Sequence, residues 1–112
     1  MNEDLLAWRK PMEEGQLQED TYSQALKAFL LEERDTGAWL ASALAQGHIE
    51  EACQKIHQLK EKAAVLKAKA LCTAAFSLEM GLKGGADPTA ILAHFDAILM
   101  DTLLAMSAYL NR

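Results

Sequence analysis

Aromatic residues make up only 6% of this 112-residue chain, and β-branched residues are few, which speaks against extended sheet. Cysteine is almost missing: Cys53 and Cys72 are the pair, too few for a disulfide framework. Each falls within an apolar helical pattern, so both are expected as buried free thiols in a reducing cytosol. An excess of basic residues is also lacking. The net charge of -5 argues against nucleic acid, whose phosphates demand concentrated Lys and Arg, and against an anionic membrane surface. No apolar run approaches the roughly 18 residues of a membrane span. Met1-Asn2-Glu3-Asp4 lacks the basic-then-apolar order of a signal peptide. A cytoplasmic protein is expected, and the start at Met1 favours a stand-alone one.

What is present is helix-forming sequence. Ala, Leu, Glu, Lys and Gln dominate, apolar residues reach 51% and charged residues 24%, the balance of one globular domain with a single core. Residues 1–15 read as a short helix over 3–10, capped by Asn2 and ended by Pro11, with a connector at Gly15. Leu5, Leu6 and Trp8 would lid one end of a bundle spanning 20–111. Thr21-Tyr22-Ser23-Gln24 fits a capping box and opens a second helix of about 25 residues, interrupted at Glu33–Gly37 with a break near Gly37 as the alternative, and stopped by Gly47. A third helix runs from about His48 to Leu66 on the stripe Ile49, Ala52, Cys53, Ile56, Leu59, Ala63 and Leu66. A fourth covers about Ala68 to Lys83, with Ala68, Leu71, Cys72, Ala75, Phe76, Leu78 and Leu82 inward, and Gly84-Gly85 stops it. Asp87-Pro88 starts a fifth, with Ile91, Leu92, Phe95, Ile98, Leu99, Met106 and Tyr109 inward. The fold class is all-α: an antiparallel four-helix bundle with a short extra N-terminal helix.

Three histidines are the chemistry-bearing candidates. His48 opens a helix, and His94 lies beside Phe95 without a second ligand nearby in sequence. Their spacing does not make a zinc set, and no Cys pair stands two residues apart. Gln54 occupies the position where a di-iron bundle needs a carboxylate three residues before His57. Phosphate-cradling loops, nucleophile elbows and dinucleotide turns are missing too. His57 remains. It lies roughly 120° from the apolar direction of its helix, on a face shared with Glu50, Gln54, Lys60, Glu61 and Ala64.

His57-Gln58-Leu59-Lys60, followed by Ala63-Ala64, Leu66, Ala68 and Leu71, resembles the signature of histidine-containing phosphotransfer (HPt) domains: His-x-Leu-Lys-Gly-Ser, small residues, a Leu, a Gly-Ala pair and a further Leu. Tyr22 to Leu44, with Phe29-Leu30-Leu31-Glu32-Glu33, resembles the family's second helix, and Ala45 to Glu50 the turn before its histidine helix. The resemblance covers nearly the whole chain. It implies a phosphocarrier rather than a turnover enzyme, passing a phosphoryl group between receiver-domain aspartates in a two-component phosphorelay. His57 would be the phosphoacceptor through Nε2, Lys60 the stabiliser of phosphoryl oxygens, and Gln54, Glu61 and Ala64 the docking surface. Response-regulator receiver domains or a hybrid sensor kinase would be the partners. No cofactor of its own is implied, because the receiver brings Mg²⁺ and the aspartyl phosphate.

Where the signature has Gly, Ser and Gly, this chain has Glu61, Lys62 and Lys67. Glu61 lies one turn from His57. A carboxylate there favours the protonated ring, whereas the nucleophile is the neutral one, and it repels an incoming phosphoryl group by about 1 kcal/mol per unit pair at ~4 Å in water. Two readings follow: an active phosphotransfer protein, supported by His57 and Lys60, or a non-catalytic HPt-like bundle that binds a receiver or another protein, supported by Glu61. In the bland case Lys60 pairs with Glu61 or Gln54 at the surface and does no more.

Overall fold

The computed structural model describes residues 16–112, with side chains from residue 20 onward. The expected helix over 3–10, its Asn2 cap and the lid of Leu5, Leu6 and Trp8 lie outside the described residues. Five helices follow in order: α1 (Gln16–Glu33), α2 (Thr36–Ala45), α3 (Ile49–Val65), α4 (Lys69–Lys83) and α5 (Pro88–Leu110). No strand occurs among the described residues. The described chain is all-helical, its extents 45 × 22 × 19 Å.

The expected single helix after Thr21 is in fact two. α1 already begins at Gln16, so Thr21 lies inside it rather than capping it. The break falls at Arg34–Asp35, before Gly37 rather than at it. Its cause is tertiary. Glu33 is fully buried and its carboxylate accepts from the Thr36 hydroxyl and from Lys62 Nζ at 2.9 Å, with Lys55 Nζ at 3.3 Å. A buried carboxylate needs such partners, and satisfying them ties the α1–α2 junction to α3. Gly37 instead serves close approach: a Cβ there would stand 2.6 Å from Oδ1 of Asp96 on α5.

The later boundaries fall where the sequence puts them. Three turns close α2, α3 and α4 with the same pair of backbone bonds, as in His48 N–H to Ala43 O at 2.9 Å and Ala68 N–H to Ala63 O at 2.8 Å. Each needs one left-handed residue. Gly47 and Gly85 supply it without strain, but the α3–α4 turn uses Lys67 at φ 65°. Asp87 caps α5 by accepting from Thr89 N–H at 3.1 Å, with Pro88 in the first turn.

α3 packs most extensively on α4 and α4 on α5, while α1 leans on α5, α2 on α3 and α5, and α1 and α2 lightly on each other. The core draws on all five helices, with Phe29, Leu40, Ile56, Leu71 and Phe95 among its members. Tyr22 ties α1 to the end of α3 by donating to the Leu66 carbonyl at 2.7 Å, and burial, helped by Tyr109, pushes its phenol well above the usual tyrosine range. The inward assignments hold for Ala52, Ile56, Leu59, Ala63 and Leu66 on α3. Phe76 does not point inward: it is half-exposed, with the Lys60 ammonium 5.3 Å above its ring. Leu103 and Thr102, absent from the expected stripe of α5, are buried. Cys53 and Cys72 are free but only partly buried. Among the described residues α5 is the one helix long and apolar enough to cross a bilayer by length and composition, although Asp96 and Asp101 interrupt its apolar run and Leu92, Phe95, Leu99, Leu103 and Met106 fill the core.

Candidate functional site

α3 carries the candidate site because its apolar stripe locks its rotation. With Ala52, Ile56, Leu59 and Ala63 in the core, His57 must face outward, and its side chain is 49% exposed. The ring stands between two carboxylates. Nε2 faces Glu61 Oε2 at 3.3 Å, and Nδ1 faces Glu79 Oε1 of α4 at 3.7 Å. The first contact joins neighbouring turns of one helix. The second exists because α3 and α4 pack side by side.

Glu79 is the residue that sequence reasoning missed. It is buried, and it gathers cations: Lys60 Nζ lies 3.5 Å from Oε1 and Lys83 Nζ 3.1 Å from Oε2. Burial alone would push its carboxyl up, but the Lys83 hydrogen bond and the charges of Lys83, Lys60 and His57 outweigh it and hold the group below its ordinary value. Glu79 therefore stays ionised at neutral pH. The signal for it was present in the sequence: a carboxylate between Ala75 and Leu82, on the face of α4 that is otherwise apolar.

Lys60 departs from its surface expectation. It pairs with Glu79 rather than Glu61 or Gln54, and its side chain is largely covered. Its ammonium is nonetheless on the His57 side of α3, held by the same carboxylate that faces Nδ1. Lys62 belongs to the opposite flank, where it bonds Glu32 at 3.0 Å and Glu33 at 2.9 Å; those bonds raise its ammonium above the usual range.

His57 rides a crest between two grooves. One, of about 730 Å³, is lined by Gln54, Cys53, Glu79 and Lys83 as well as His57. The other, of about 500 Å³, runs between α1 and α3 past Phe29, Glu61 and Val65. Gln54 and Glu61 thus fall on different sides of the ring, and Ala64 is exposed on the same helix. Burial, reinforced by the charge of Glu79, raises the Cys53 thiol above its ordinary value, so it is not an activated nucleophile.

The other histidines stand apart. His48 is the residue before α3 and faces Glu51 at 3.3 Å. His94 borders a separate groove with Lys69, Thr73 and Ser77. No group of three His, Cys, Asp or Glu residues capable of holding a metal occurs among the described residues. His57, Glu61 and Glu79 cannot form one, because the carboxylates address opposite nitrogens. The chain matches no family model, no curated protein and no solved structure.

Proposed function

We propose that this chain is a cytoplasmic histidine phosphotransfer protein built as an antiparallel four-helix bundle, with α1 and α2 together forming one of its four arms. The observation that carries the reading is His57 itself: a half-exposed imidazole at the middle of α3, with an ionised carboxylate facing Nδ1 and a lysine on the same carboxylate. A carboxylate at Nδ1 favours the tautomer with the proton there, leaving the Nε2 lone pair for attack. Nε2 would form a bond to the phosphorus of a receiver's aspartyl phosphate as the aspartate oxygen leaves. A second receiver's aspartate would take the phosphoryl group in reverse. Lys60 would offset charge on the phosphoryl oxygens, exchanging its contact with Glu79 for one with phosphate. Lys67 adds support: it stands where the HPt signature has glycine, and its backbone has the left-handed φ that favours glycine. Partners in this reading are receiver domains or a hybrid sensor kinase, docked over Gln54, Glu61 and Ala64.

A second reading, a bundle that binds without transferring, is favoured by the Glu61 contact. At 3.3 Å, Glu61 is closer to Nε2 than Glu79 is to Nδ1, and it faces the nitrogen that would attack. The test is incubation with a receiver carrying ³²P-aspartyl phosphate. Transfer predicts an acid-labile label on the parent and none on His57→Gln. Glu61→Gly should take label about fivefold faster, the rate equivalent of about 1 kcal/mol of relieved repulsion. An unlabelled parent together with an unlabelled Glu61→Gly variant would leave only the binding reading.

A further inference from the structure

α5 is apolar on two sides. Its inner face fills the core, yet its outer face carries Ala90, Ala93, Ala97, Met100, Leu104 and Ala108, all exposed, with Met100 at 55% and Leu104 at 64% of full exposure. At 1.5 Å per residue this stripe is roughly 27 Å long. An apolar stripe of that length is more than scattered surface residues require.

Size and charge are distributed unevenly along it. The N-terminal half presents only alanines with His94 at the edge; the C-terminal half presents Met100 and Leu104 with Asp101 at the same edge. We propose that this face is the interface of a homodimer in which two copies of α5 cross antiparallel about a two-fold axis beside Ala97. That axis places Leu104 of one copy between Ala90 and Ala93 of the other, and Met100 between Ala93 and Ala97. Large residues meet small ones twice. The same axis brings Asp101 opposite His94, also twice, so one register satisfies both shape and charge. Shallow grooves flank the ridge, one beside His94 and Ile98 and one beside Ala93 and Asp96, giving room for the partner's flanking side chains. A parallel pairing would set Leu104 against Leu104 and carry the Asp101 and His94 edges of the two copies to opposite sides of the seam, losing both forms of complementarity.

Sedimentation equilibrium of the full chain from about 1 to about 500 µM tests this. The expected result is a concentration-dependent dimer. Leu104→Glu, at an exposed position, should leave a monomer with unchanged circular dichroism. His94→Glu, which sets an acid opposite each Asp101, should weaken dimerisation at least about tenfold, and adding Asp101→Lys should restore it. A parent that stays monomeric overturns the proposal, whether residues 1–15 cover the stripe or a lipid surface does; co-sedimentation with phosphatidylcholine vesicles would assign it to lipid. A dimer indifferent to Leu104→Glu, or a His94→Glu variant unaffected or not rescued by Asp101→Lys, overturns it as well.

Discussion

Two buried carboxylates, Glu33 and Glu79, carry the chain's most consequential side-chain chemistry. Burial pushes Glu33 up, but the Thr36 and Lys62 hydrogen bonds and the charges of Lys55 and Lys62 prevail, holding it below the ordinary 4.5. Glu79 is depressed in the same direction. A carboxyl held lower in the folded than in the unfolded chain stabilises the fold above the unfolded value, and that contribution disappears as pH falls through the folded one. Urea midpoints should therefore be level near neutrality and decline below about pH 4.5. Glu33→Gln should lose about 1–3 kcal/mol at neutral pH, because lysine and threonine donors lose their charged acceptor, and should show a shallower acid decline. An acid decline as steep as the parent's would assign it to other groups. Neither carboxylate was identified as such in the sequence. Glu33 continues the spacing of Leu26 and Phe29 and lies in phase with Leu40, so an acid on an apolar stripe was visible. Its partners Lys55 and Lys62 sit on a different helix, beyond the reach of any periodicity. His57 and Lys60 were legible because their exposure depends only on the phase of their own helix.

At the scale of elements, the same contrast separates helix ends that local chemistry sets from those that tertiary contacts set. α3, α4 and α5 begin and end where a glycine, the Leu66–Ala68 turn or Asp87-Pro88 puts them. The α1–α2 break is placed by Glu33 reaching across to α3, and no local stop signal marks Arg34. The capping-box pattern at Thr21 was overridden by a helix already running from Gln16. Lys67 is the informative exception among the turns. It adopts a left-handed conformation that its Cβ disfavours, where Gly47 and Gly85 do the same work freely. Lys67→Gly should raise stability by about 1 kcal/mol in thermal denaturation. A loss of stability would show that the lysine side chain contributes more than its backbone costs.

For the molecule as a whole, short turns join helices that are also neighbours in space, α3 to α4 and α4 to α5. Chain closure between such partners costs little entropy. α1 touches its sequence neighbour α2 only lightly and packs more on remote partners: it must reach α5 at the far end of the sequence and the Leu66 carbonyl 44 residues away. This sets an order of events. The last three helices should assemble first and α1 should dock late, giving folding in the microsecond-to-millisecond range typical of low contact order. In stopped-flow kinetics, Leu78→Ala on α4 should mainly slow folding, and Leu26→Ala on α1 should mainly speed unfolding. The reverse pattern would place the nucleus in the N-terminal arm. Under this order His57 comes to face Glu79 as soon as α3 and α4 pair, whereas Glu33 reaches Lys62 only when α1 closes. The histidine's surroundings are thus an early product of folding, and α1 closes on the opposite flank of α3 after the site has already been assembled.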